Sequence, residues 1–103
     1  LADQALKQDA GKVRLSLVPA SIVEAIARVR QYGLNKYGED KSWKQVEPER
    51  FMDAFLRHVL EMWQNGMNAI DDESKLPSMW HAACNLAFLI ELTEGEKNEN
   101  LEV

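Results

Sequence analysis

The sequence predicts an all-α fold: a compact bundle of three principal helices with a short extended N-terminal segment, completed by oligomerisation. Apolar residues recur at helical spacing in three blocks, a proline opens each block and a glycine closes it, and one stretch alone alternates like a strand. That stretch is Lys12 to Val18, which cannot build a sheet by itself. Pro19 suits a first helical turn, and Ile22, Ile26 and Val29 then repeat up to Gly33, which predicts helix one over about Ala20 to Tyr32. From Gly33 to Glu47 the periodicity breaks. Two glycines, the charged run Glu39-Asp40-Lys41 and Ser42 surround Tyr37 and Trp43, as in a loop with room for one short turn. Pro48 opens the second helix, Glu47 and Glu49 sit well for its dipole, and Gly66 closes it. Its apolar stripe is Phe51, Phe55, Val59 and Met62, while Asp53, Arg57, Glu61 and Gln64 form a polar stripe by the same helical arithmetic.

An acidic connection containing Asp71-Asp72-Glu73 leads to Pro77 and a third helix expected to run to about Thr93 and stop at Gly95. Nearly every position from Met79 to Leu92 is apolar, and a helix apolar on all sides is enclosed on all sides. A chain of 103 residues has little else to enclose it, so part of the cover is expected from another subunit. The expected organisation is a flexible arm over residues 1–11, a single helical domain over 12–95 and a flexible tail over 96–103. The chain opens on Leu1 and not on Met, so residues are expected to precede it.

Composition narrows the partners. A net charge of −5 argues against duplex nucleic acid, whose binding neutralises many phosphates with Lys and Arg. A small phosphorylated ligand needs only a local positive pocket. Cys84 is the single cysteine, so it forms no internal disulfide and joins no cysteine zinc site; a cytoplasmic setting is expected. No apolar run approaches the roughly 18 to 20 residues of a membrane span, and the N-terminus lacks the layout of a signal peptide, so a soluble protein with no membrane partner is expected.

The chemically capable residues gather on a few stretches. His81 and Asn85 are four apart on the most apolar helix, where polar groups need partners: either a structural hydrogen-bond network or a ligand satisfies them. Arg57 stands between Asp53 and Glu61 at helical spacing, which makes either a ladder of ion pairs or, with His58 beside it, a phosphate contact suited to the planar guanidinium fork. Tyr37 and Trp43 can stack on a base with Lys36, Lys41 and Lys44 near them, or plug the end of the bundle. Lys12, after Gly11, is a weaker phosphate candidate because the rest of a P-loop is missing. Cys84 reads as packing, since an apolar helix raises a thiol's pKa. Asp53 and Glu61 are the metal candidates, yet they lie two turns apart, about 12 Å along the axis, and need a third acid from Asp71 to Glu73 between them. Within the helix bounds expected here, the last of which ends at about Thr93, no Glu-x-x-Glu or Glu-x-x-Asp pair of the MazG-like all-α pyrophosphohydrolases falls.

A resemblance joins these residues. Asp9-Ala10-Gly11-Lys12, Leu15 to Pro19, Tyr32-Gly33, Lys36-Tyr37-Gly38, Trp43, Arg50 with Asp53-Ala54, Arg57-His58, Glu73-Ser74 and His81-Ala82-Ala83-Cys84-Asn85 before Phe88-Leu89 resemble, in order, a phage and prophage family: the N-terminal domain of dATP/dGTP diphosphohydrolase. The likeness spans about residues 8 to 92. It implies a bacteriophage origin, a compact helical domain and purine deoxynucleotides as ligands. Members often read Glu-Ser-Gly-Leu-Pro-His before the last helix; this chain has Lys75 for the glycine and Ser78 for the histidine, which removes one candidate imidazole ligand.

The expected function is therefore a purine nucleotide-binding protein. Lys36, Arg57 and Lys12 would meet phosphates, Tyr37 and Trp43 the base or ribose, and His58, His81 and Asn85 would supply polar contacts. As an enzyme it would cleave dATP or dGTP to the monophosphate and pyrophosphate, with Asp53, Glu61 and His58 as catalytic residues and Asp53 and Glu61 holding Mg2+. Two alternatives stay open: a sponge that sequesters a host signalling nucleotide, cyclic or otherwise, against anti-phage defence, and a helical protein-interaction module.

Overall fold

Each helix begins at a proline or within two residues of one, and the fold is all-α as predicted. In the computed structural model, which describes residues 7–39 and 42–101, the helices are α1 (Ser21–Tyr37), α2 (Pro48–Asn65) and α3 (Ser78–Leu101). Short 3-10 turns cover Leu15–Leu17 and Ser42–Gln45. Of the expected arm, residues 1–6 lie outside the described residues, as do residues 102 and 103 of the expected tail.

Glycines end the helices only where the backbone turns left-handed. Helix one does not stop at Tyr32; α1 passes through Gly33 and ends at Gly38, whose φ of 76 lets its N–H donate to Leu34 O at 2.7 Å. Lys36 and Tyr37 therefore sit on the last helical turn and not in a loop. Likewise α3 runs through Gly95 to Leu101, beyond the expected stop, because one interior glycine costs only about 1 kcal/mol and its neighbours favour helix. Gly66 ends α2 as expected, its N–H donating to Met62 O at 2.8 Å. The segment Lys12 to Val18 forms no strand. With no partner strand to satisfy it, the chain turns, and Val18 N–H donates to Leu15 O at 3.1 Å.

The central helix is α3, against which both α2 and α1 pack. Small side chains make that approach possible: Ala25 and Val29 of α1 and Ala82 and Cys84 of α3 are the buried apolar residues among those described. Within one chain α3 is not enclosed on all sides, for Met79, Leu86 and Ile90 are exposed. Because α1 and α2 both lean on α3, a cleft remains between them. No helix among the described residues is long and apolar enough to cross a membrane.

Candidate functional site

Two histidines and two carboxylates meet where α2, α3 and the loop joining them converge. Helical spacing puts His58 and Glu61 one turn apart on α2, with the His58 Nδ1 3.4 Å from Glu61 Oε2. The loop over residues 66–77 brings the second carboxylate. Its ends are held by an antiparallel bridge between Ile70 and Pro77, by the Asp71 N–H donating to Leu76 O at 2.9 Å and by the Ser78 N–H donating to Ala69 O at 2.9 Å. Inside that clamp Asp71 Oδ2 accepts the Ser74 N–H at 2.8 Å, a turn in which a short polar side chain replaces a backbone acceptor. Lys75 follows with φ 63, the only left-handed non-glycine among the described residues, at the position where the resemblance expects glycine.

From α3 come Ser78 and His81. Ser78 is wholly buried and donates through Oγ to Glu61 Oε2 at 2.5 Å. The His81 ring stacks on His58 with centroids 4.7 Å apart and planes 16° apart. Its Nε2 shares a 2.6 Å hydrogen bond with Ser74 Oγ and lies 3.9 Å from Asp71 Oδ2. Tyr32 of α1 meets the same imidazole edge-on, centroids 6.4 Å apart.

Titration follows from these contacts. Burial pushes His81 below its ordinary value and the neighbouring His58 adds to that, against the pull of Asp71, Glu61 and Glu73. Burial alone would raise Asp71, but the hydrogen bonds from Ser74 and the nearby histidines hold it low. At the rim, Glu73 is lowered mainly by Lys36, then by Tyr32, and Lys36 is raised in return. Burial pushes the Cys84 thiol up to about 11, as an apolar helix should.

A cleft of about 650 Å3 opens from this cluster between α1 and α2, within the size range of small-molecule sites. Arg57, His58, His81, Asn85, Lys36, Tyr37 and Trp43, all singled out from the sequence, line it together. Arg57 forms no ion pair with Asp53 or Glu61: Glu61 is turned to Ser78 and His58 instead. Lys36 is paired with Glu73 at 2.5 Å, so an incoming anion competes with a carboxylate there. Trp43 serves two ends, lining the cleft while it stacks on Phe88 with centroids 4.4 Å apart. Asn85 Nδ2 donates to His81 O at 3.0 Å, which satisfies part of its amide within the helix.

Other expected residues lie elsewhere. Lys12 is exposed before α1 and does not line the cleft, and Lys41 is outside the described residues. Asp53 is exposed two turns before Glu61 and stays out of the cluster, because those two turns put about 12 Å of helix between them. The group that does converge is His58, Glu61 and Asp71, whose ligand atoms all lie within 4.8 Å of one another. Sequence reasoning gave no role to Ser78, Arg30 or Arg50; the last two line the cleft. Asp71 was reachable only as one of three neighbouring acids, although aspartate is a residue type that caps such turns with its own side chain.

The chain matches the family described as dATP/dGTP diphosphohydrolase, N-terminal, over residues 2–101. It belongs to that family. A protein of Salmonella phage PMBT28 named dATP/dGTP diphosphohydrolase is 42% identical over 84 residues, which cover 82% of this chain and 28% of that relative. The chain thus spans well under two thirds of the relative it matches. No solved structure matches it. For a member of the dATP/dGTP diphosphohydrolase N-terminal family, the cleft offers two distinct kinds of chemistry: guanidinium and ammonium groups with aromatic faces at the mouth, and imidazole with carboxylate at the inner end.

Proposed function

We propose that the chain binds a purine deoxynucleoside triphosphate in this cleft and serves its hydrolysis to the monophosphate and pyrophosphate. The observation that carries the reading is the meeting of Arg57, Lys36, Tyr37, Trp43, His58 and His81 on one hollow, although the sequence scatters them over three helices and a turn. Arg57 and Lys36 take phosphate oxygens, the first through its planar fork. Tyr37 and Trp43 receive the base or ribose. Asn85 keeps its carbonyl available for a polar edge. His81, held low in its titration, remains a neutral base near pH 7 beside the carboxylates, able to take a proton from an attacking water.

A divalent cation is the cofactor this reaction implies, and the donor chemistry of His58 Nδ1 with Glu61 and Asp71 oxygens fits one. Bound there, it would neutralise phosphate charge and acidify water. That cluster favours hydrolysis over sequestration, because a sponge for a signalling nucleotide needs cations and rings but no ligand set. Family membership and the phage relative's name support the substrate class and a bacteriophage origin, with host cytoplasm as the setting.

The reading also has the chain self-associating. Met52, Leu56, Leu60 and Trp63 are exposed and fall on one side of α2 by helical arithmetic, and Trp63 at 84% exposure is a side chain that water seldom keeps. Pairing with a second copy would cover them. Light scattering on the parent and on Trp63→Glu checks this: a monomer in both cases removes the oligomer.

Incubation with dATP or dGTP, a divalent cation and the purified chain tests the function. Pyrophosphate and monophosphate in equal amounts are expected. Intact nucleotide recovered after denaturation, with a raised melting temperature, would replace hydrolysis by sequestration; neither effect would leave the interaction module.

A further inference from the structure

We propose that His58, Glu61 and Asp71 form a mixed nitrogen and oxygen site for a later first-row transition-metal ion of the Co2+ kind, filled in preference to Mg2+ and without nucleotide. The proposal deepens the hydrolytic reading and rests on it only for what the bound ion would meet in the cleft.

Geometry makes the first argument. The donors come from two elements, a regular helix and a hydrogen-bonded loop, and all lie within 4.8 Å of one another. Ligand atoms on opposite sides of an ion with bonds of about 2.1 Å stand about 4.2 Å apart, so small side-chain rotations close the set. A surface cluster of acids would not be held this way. Ser78 Oγ donates to Glu61 Oε2 and the Ser74 N–H to Asp71 Oδ2, while the His81 ring lies flat against His58 and restricts its rotation. Such outer contacts fix ligand orientation in metal sites.

Charge makes the second. Glu61 and Asp71 are both half-buried, and among the described residues the basic groups within 4 Å of them are imidazoles, charged only when protonated, His58 for Glu61 and His81 for Asp71, with no lysine or arginine paired to either. Two converging carboxylates with only imidazoles to answer them leave a negative field that a cation removes. The kind of cation follows from the third ligand. Mg2+ prefers oxygen donors and gives up water reluctantly, whereas an imidazole nitrogen raises affinity for the later divalent ions.

The test uses the full chain freed of metal by chelation and titrated with Co2+, read by its visible d–d absorption and by calorimetry, with Mg2+ as competitor. Stoichiometric uptake at least about 10-fold tighter than Mg2+ is expected in the absence of nucleotide. Asp71→Asn and His58→Ala, shown by circular dichroism to be folded, should weaken it by about 100-fold, and Glu61→Gln serves if either fails to fold. Arg57→Ala should bind Co2+ like the parent. No stoichiometric uptake, equal affinity for Mg2+, or folded variants that bind like the parent would each overturn the site. Co2+ taken up by a chain that ignores dATP and dGTP supports the metal site while removing the nucleotide reading; nucleotide binding with no stoichiometric Co2+ does the reverse.

Discussion

At the inner end of the cleft His58, Glu61, Asp71, Ser74, Ser78 and His81 hold one another through hydrogen bonds and a ring stack, whereas at its mouth Arg50, Arg57 and Tyr37 are exposed and Lys36 meets only its neighbour Tyr37 and the rim acid Glu73. The two ends consequently differ in when they incur the cost of order. Dipoles and charges fixed during folding need no rearrangement when a reaction develops charge beside them. Long exposed side chains lose rotamer freedom only on contact with a ligand, so they contribute affinity at an entropic cost. The inner end is accordingly where chemistry should reside, and the mouth is where a triphosphate should be recognised.

Substitution at the inner end should produce the largest effect. Asp71→Asn is expected to lower the hydrolytic rate by about 100-fold or more while the Kd for dATP or dGTP changes little, as measured by pyrophosphate release and calorimetry on one preparation. An equal collapse of affinity would mean that the two ends act as one site and would break the comparison. At the mouth the order is reversed. Arg57→Ala should weaken nucleotide binding by about 10- to 100-fold and leave the rate at saturation nearly intact, with the loss shrinking at high salt. A variant that binds unchanged would take Arg57 out of the site.

Titration separates the ends further. In the metal-free protein, His81 is held below its ordinary value, so the unfolded chain takes up that proton first as the pH falls. Its contribution to stability is present above about 6.5 and is lost as the pH drops from there toward the lowered folded value. Asp71, also lowered, contributes above its ordinary value of 3.8 and loses that contribution only as the pH falls through the still lower folded one. Melting temperature followed from pH 8 downward should therefore decline in two stages, and His81→Gln should remove the upper stage. A parent profile flat through the upper window would deny that burial governs this imidazole.

What the sequence revealed differs between these regions for a physical reason. The helices and the all-α class follow from periodicity and from Pro48, Pro77 and Gly66, signals that act within a few residues. The residues of the mouth were also legible, because Arg57, Lys36, Tyr37 and Trp43 are types that stand out by their own chemistry. The inner end was legible only in part: His58, Glu61 and His81 stood out, but Asp71 reaches them only through the clamped turn of residues 69–78, and Asp53 looked equivalent to it although two helical turns, about 12 Å, set it apart from Glu61. Gly33 and Gly95 misled for the opposite reason: a glycine permits a helix end without requiring one, and of the glycines in or after a helix only Gly38 and Gly66 take up a positive φ.

The smallest expected effect lies in that same turn. Lys75 holds φ 63, a conformation that costs a side-chain-bearing residue about 1 to 2 kcal/mol, and the family resemblance places glycine there. Glycine gives back part of the gain through its extra freedom in the unfolded chain, about 0.5 to 1 kcal/mol. Lys75→Gly should thus stabilise the protein by about 0.5 to 1 kcal/mol, a rise of a few degrees in Tm for a chain of this size, measurable by differential scanning calorimetry. The backbone bonds on either side, Lys75 N–H to Asp71 O at 2.8 Å among them, need not change, so Asp71 should keep its place and Co2+ affinity should stay at the parent value. A stabler variant with weakened metal binding would show that the turn is not fixed by its hydrogen bonds alone and that the lysine backbone helps aim the carboxylate, in which case the inner end is less preorganised than its contacts imply.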